Sequence, residues 1–277
     1  MSPQYIVPLA NLIAIILAGA ALFLIPVGLL LWWGIKKRIT MVPLLAGFLS
    51  FFVSQPLTRM ILLNLLSLSP AFQQFVADHF FLYAILIGGL TAGLFEETAR
   101  LVGATLLKKH RGWKDACSFG WGHGFCEVIL ITGMAQVNNL ILALMLNSGI
   151  SSEMLGLPAE TLAVVAEQLA GTAPWMFGVS VLERVFAVIY HLSATILIFW
   201  GVNQRKRLLS WGIAVGCHTL FNALAVILST YSSIWVAELA MAVMSVAMLL
   251  VVRRLRDTFP LPEFSNPNLG DWSWGGA

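Results

Sequence analysis

Ionised side chains are scarce in this sequence. Lys, Arg, Asp and Glu make up 10% of its 277 residues, against about a quarter in a soluble domain, which excludes an ordinary water-soluble fold. Cysteine is scarce as well. Cys117, Cys126 and Cys217 all lie within or beside apolar stretches, so no disulfide framework is implied. Cys126 and Cys217 stand close to polar residues discussed below; a thiolate ligand is the alternative to small apolar filler. The first apolar stretch lacks a basic segment ahead of it and runs on to Trp32 and Trp33, past the small residues at 18–21. It reads as a retained span rather than a cleaved signal peptide. There is no defensible internal repeat.

What the chain has is hydrophobic length. It is 59% hydrophobic, its mean hydropathy is +0.86, and a helix needs roughly 20 apolar residues to cross a bilayer. Seven stretches qualify, at about 6–33, 42–66, 81–107, 116–146, 175–203, 208–230 and 235–252. The expected fold is all-α, a polytopic membrane bundle of about seven transmembrane helices in one domain over residues 1–256. Thirteen of the sixteen basic residues fall in four clusters, Lys36–Arg38, Lys108–Lys114, Arg205–Arg207 and Arg253–Arg256. Seven spans put all four on one face, which the positive-inside rule makes cytoplasmic. The opposite loops contain no Lys or Arg and hold Asp78, Glu153 and Glu160. This places the N-terminus outside and the C-terminus in the cytoplasm, in a cell membrane of bacterial inner-membrane type. The net charge of +3 follows from the clusters, so lipid is the expected surroundings and nucleic acid is not a partner.

Two segments lie outside the spans. In 147–173, Leu162, Val165 and Leu169 with Glu160 and Glu167 predict a short amphipathic surface helix; a lid or re-entrant segment is the alternative. Residues 257–277, with three prolines, Trp272 and Trp274, read as a weakly ordered cytoplasmic tail.

The remaining ionisable groups are concentrated by depth. Glu96 lies twelve positions from Lys108, His123 nine from Lys114, His191 fourteen from Arg205 and His218 eleven from Arg207. These offsets correspond to roughly 14–21 Å from the cytoplasmic boundary. Four spans thus deliver titratable side chains to one slab, and such groups persist in a bilayer when paired, hydrated or functional. Spacing within the helices agrees: His123 and Glu127, His218 and Asn222, and Glu96 and Arg100 are each four apart and share a face. Imidazoles with a carboxylate can hold zinc. Glu96 and Arg100 could instead form a salt bridge that only fixes packing, which leaves Glu97 unexplained. Gly89 and Gly93, Gly120 and Gly124, and Gly212 and Gly216 form small-xxx-small repeats, which predict close helix approach on three of the four site-bearing spans.

Glu96-Glu97-x-x-Arg100, Phe119-x-x-x-His123 and His218-x-x-x-Asn222, in that order on successive spans, resemble the clan of glutamic intramembrane proteases. That clan includes the CAAX-prenyl proteases, their bacteriocin-processing relatives (CPBP) and the PrsW proteases. The pattern is most similar to the YhfC-type intramembrane metalloproteases, with His123-Gly-x-x-Glu127, the pair Glu183-Arg184, His191 and the final His-x-x-x-Asn. The resemblance covers about 81–230, a protease-like core. CAAX-type members place three residues between the acid pair and the arginine. Here there are two, which turns the arginine by about 100° around the helix.

The resemblance implies Glu96 as general base, with Glu97 second in line or positioning a ligand. His123 would bind metal or polarise the water, and His218 and Asn222 would hold metal and stabilise the oxyanion. Glu127 and His191 join the possible ligands by depth and residue type. Some of the clan work without metal; three histidines and a carboxylate favour a divalent metal here, zinc by ligand type. The substrate would be a membrane-embedded or membrane-proximal peptide or protein. Arg100, Glu183 and Arg184 would be supporting residues. Arg59, Gln55 and Asn64 count as nearer the outer side, where an Arg59–Glu183 ion pair is expected as a brace, with substrate binding as the alternative. Two rival functions stay open: a proton- or metal-coupled transporter, against which the absence of an inverted repeat counts, and a non-catalytic scaffold of the same fold.

Overall fold

The computed structural model describes residues 6–156 and 158–260, and every regular element among them is helical. Seven helices are long and apolar enough to cross a membrane, each within a few residues of its expected position. They are α1 (Leu9–Ile35), α2 (Met41–Ser67), α4 (Phe80–Leu106), α5 (Trp113–Asn147), α7 (Pro174–Asn203), α8 (Arg207–Tyr231) and α9 (Ile234–Arg253). Shorter helices lie between them, α3 (Pro70–Asp78) and α6 (Ala159–Gly171), with a single helical turn at Ser152–Leu155. Pro70 opens α3 at a position where its missing N–H costs nothing. Most of the expected tail, 261–277, lies outside the described residues. Large apolar side chains such as Leu9, Leu17, Leu24 and Leu31 on α1 are more than half exposed, as lipid-facing positions are.

Three spans are locally π-helical: α2 at Gln55–Arg59, α4 at Tyr83–Thr91 and α5 at Val128–Gly133. In α2 the cause is legible, because Pro56 cannot donate to the helical ladder and crowds the preceding turn. Widened turns of this kind re-aim the side chains beside them. Gln55, Glu96 and Glu127 all border or lie within five residues of one.

The chain divides into two compact units. One takes in the chain up to Leu29 together with Val128–Arg184; the other takes in Leu30–Glu127 and the chain from Val185 onward. In the first, Ile15 and Ala18 of α1 pack with Ala143 and Leu146 of α5 and with Leu162, Ala166 and Leu169 of α6. The amphipathic helix expected near 160–170 is therefore α6. Asn11 ties it down: its Nδ2 donates to the Leu169 carbonyl at 2.7 Å and the Thr172 carbonyl at 2.8 Å.

In the second unit, the part of α7 from Ala187 to Val202 is buried almost throughout. Its serine and threonine hydroxyls are satisfied within the helix, Ser193 Oγ donating to the Ile189 carbonyl and Thr195 Oγ1 to the His191 carbonyl, each at 2.8 Å. Helices α2 and α5 cross backbone against backbone. A Cβ on Gly122 would strike the Leu44 carbonyl, and one on Gly47 the Phe119 carbonyl. Helices α4 and α8 also close up, since a Cβ on Gly89 would stand 2.6 Å from the Thr219 carbonyl and one on Gly93 3.2 Å from His218 Cβ. Gly120 faces Leu192 of α7 at 2.9 Å by the same measure. The third expected repeat does not do this. Gly212 and Gly216 have nothing within 4 Å, and α8 approaches α4 through Val215, His218 and Thr219 beside that stripe.

Candidate active site

These approaches bring Glu96, Glu97, Arg100, His123, His191 and His218 into one cluster in the second unit, each at most 4% exposed. Helix α4 supplies both acids and the arginine, α5 His123, α7 His191 and α8 His218. Glu96 is the hub. Its Oε2 is 2.9 Å from His123 Nε2 and 3.2 Å from Arg100 Nη2. The same oxygen is 3.7 Å from His191 Nδ1, and Oε1 is 3.8 Å from His218 Nε2. Glu97 Oε1 accepts from Arg100 Nη1 and lies 2.7 Å from His218 Nδ1. Two carboxylates, one guanidinium and three imidazoles thus partner one another, as buried polar and charged groups must.

Partners fix the tautomers. Ionised Glu97 only accepts, so His218 carries its proton on Nδ1 and turns an Nε2 lone pair toward Glu96. Arg100 only donates, so His191 accepts at Nδ1, 2.6 Å from Nη2. Its proton is then on Nε2, which pairs with Glu127. His123 donates from Nε2 to Glu96, and its Nδ1 is 3.3 Å from Ser50 Oγ. The Phe51 ring meets His123 edge-on at 5.3 Å, and Tyr190 abuts both His191 and His218. These rings hold the imidazoles in place from the apolar side.

The donor chemistry fits a divalent metal. Glu96, His191 and His218 each offer a ligand atom, all within 4.8 Å of one another. Zinc ligands at about 2.0–2.1 Å in a tetrahedron lie roughly 3.4 Å apart, so a modest closure would suffice. His218 also has the carboxylate behind it, Glu97, that histidine ligands commonly use. Two expected ligands stand one bond further out: His123 is bonded to Glu96, and half-buried Glu127 to His191. Asn222, four residues after His218, is half-buried, and its side chain makes no hydrogen bond among the described residues. Glu183 and Arg184 pair with each other on α7 in the first unit.

Within its own unit Arg59 gives its guanidinium to Thr91 Oγ1 at 2.8 Å, the Ile87 carbonyl at 2.8 Å and Gln55 Oε1 at 3.1 Å. One expectation about the lesser polar residues is corrected, because Gln55 does not stand apart toward the outer side. Its Nε2 donates to Glu96 Oε1 at 2.6 Å, which makes it a member of the cluster. The available signal was Pro56, the residue that widens α2 at this turn. Ser50 carried no comparable signal.

A family model described as "YhfC intramembrane metalloprotease" matches residues 21–241. The uncharacterized membrane protein YhfC of Bacillus subtilis (strain 168) is 33% identical over 216 residues, which is 76% of this chain and 82% of that protein. The chain belongs to the YhfC family. No solved structure matches it. With seven membrane-length helices and a membrane-protein relative, it is an integral protein of a bacterial cell membrane. The YhfC description gives the general kind of function, and the buried Glu96, His191 and His218 are compatible with the metal that description names.

Proposed function

We propose that the protein is an intramembrane endopeptidase that hydrolyses a peptide bond of a membrane-embedded or membrane-proximal substrate, using water activated by Glu96. The observation that carries this reading is the place of Glu96: a carboxylate 4% exposed, reached by side chains from α2, α5, α7 and α8 within a membrane bundle. Peptide hydrolysis needs a positioned base, a water and donors for the oxyanion. Glu96 takes the proton of the attacking water and passes it to the leaving amine. Gln55 and His123, each donating to a different oxygen, fix the plane of that carboxylate. Glu97 is the holder rather than the base, since its Oε1 is shared between Arg100 and His218. Asn222 is the side-chain donor for the oxyanion, because both nitrogens of His218 are committed, Nδ1–H to Glu97 and the Nε2 lone pair to the metal site. Glu96, His191 and His218 would hold a divalent metal, zinc by ligand type, which when bound polarises a carbonyl and lowers the pKa of water to about 7.

The test is cleavage of a reporter transmembrane peptide by the purified protein in liposomes. Wild type should cut, and Glu96→Gln and His218→Ala should not. Cleavage that survives Glu96→Gln removes the mechanism. Proton or metal flux that is lost in the same variants, without any cleavage by wild type, assigns the site to transport instead.

A further inference from the structure

The cluster already contains a cation. Arg100 is fully buried, and its two terminal nitrogens do different things. Nη1 donates to Glu97. Nη2 donates to His191 Nδ1 at 2.6 Å and lies 3.2 Å from Glu96 Oε2. Nε has no hydrogen-bond partner among the described residues, so the guanidinium is held by its two ends. The atoms beneath Nη2 are an imidazole nitrogen and a carboxylate oxygen 3.7 Å apart. Those residues are two of the three able to hold a metal. A lone pair that accepts an N–H cannot also coordinate a dication, and His191 has no spare nitrogen, because its Nε2 is paired with Glu127. His218 Nε2, by contrast, faces Glu96 Oε1 on the side away from the atoms Nη2 engages.

We propose that Arg100 is the resident cation of this site, and that a divalent metal takes His191 and Glu96 only when Nη2 leaves them while Nη1 stays on Glu97. The inference rests on the metal-centre reading of the cluster. Its physical basis is competition for the same acceptors, sharpened by like-charge repulsion in a site without bulk water. Glu97 gives the displaced guanidinium a place to remain, so the exchange does not leave a buried charge unpaired. Loading the site therefore has a built-in opponent, and its metal affinity is lower than the donor set alone would give.

The experiment uses the full chain in detergent, stripped with a chelator, with zinc affinity read by competition with a chromophoric chelator. Arg100→Gln should bind zinc at least about tenfold tighter than wild type, because repulsion and competition both go. Arg100→Lys keeps the charge but cannot fork between Glu97 and His191, and should fall between the two. It carries the comparison if the glutamine variant does not fold. His218→Ala should lose zinc in the wild-type and Arg100→Lys backgrounds alike. Zinc binding that depends on His218 but is no tighter in either Arg100 variant overturns the exchange and leaves the metal centre standing. The absence of His218-dependent zinc in every protein removes both.

Discussion

The unit built around α6 buries two polar side chains, Asn11 and Gln136, both neutral amides. Asn11 donates to backbone carbonyls at the end of α6, and Gln136 donates to Ser180 Oγ at 3.2 Å. The other unit buries two carboxylates, a guanidinium and three imidazoles in mutual contact. Both solve the problem of polarity inside a membrane span, at very different stakes. An amide that meets a carbonyl in hydrocarbon contributes about 1 kcal/mol or less, and its loss is local. A charge that loses its partner leaves another charge uncompensated. The first arrangement holds helices together. The second is far more polarity than packing requires, which is why chemistry is assigned to it.

The widest separation between the units should appear in activity. Glu96→Gln preserves size and most hydrogen bonding while removing the base, and should lower cleavage of a reporter peptide by about 10²–10⁴-fold. Asn11→Ala should leave the rate constant where it was. Equal losses in both variants would mean that activity reports general integrity of the bundle. Stability should separate them next. Glu97→Leu leaves Arg100 and His218 without their shared acceptor and should destabilise the protein by about 3–5 kcal/mol in chemical unfolding in detergent. Asn11→Ala should cost about 1 kcal/mol in the same assay.

How much of this was legible in the residues divides along similar lines. Spans, and the convergence of Glu96, His123, His191 and His218, could be read because hydropathy marks helix ends and the basic clusters supply a ruler for depth. Partner choice could not. Residue type and depth made Glu127 a ligand candidate, whereas side-chain direction puts it on the far nitrogen of His191 and brings Glu96 inward. Gln55 was misplaced for a related reason. Counting along a straight helix assumes 3.6 residues per turn, and the π-helical turn at Gln55–Arg59 breaks that assumption. Arg59, which charge sign alone would pair with an acid, is met within its own unit by uncharged acceptors on α2 and α4.

The smallest expected effects concern glycine, and they test whether close helix approach or mere residue size shapes the site. All six glycines of the three repeats look alike in sequence, yet the backbone distinguishes them. Gly122, which belongs to none of the repeats, sits where α2 and α5 touch, and any Cβ there meets the Leu44 carbonyl. Backbone cannot rotate away as a side chain can, so Gly122→Ala must push α2 off the helix that carries His123. A cost of about 1–3 kcal/mol is expected, with a weakened grip of Ser50 and Gln55 on the cluster. At Gly212 and Gly216 the added methyl meets nothing within 4 Å, so the only change is the loss of glycine's backbone freedom in the unfolded chain. Alanine at either position should be neutral or stabilising by up to about 1 kcal/mol, with cleavage unchanged. A destabilised Gly212→Ala alongside a tolerated Gly122→Ala would place the tight crossing on the wrong pair of helices, and with it the route by which His123 reaches Glu96.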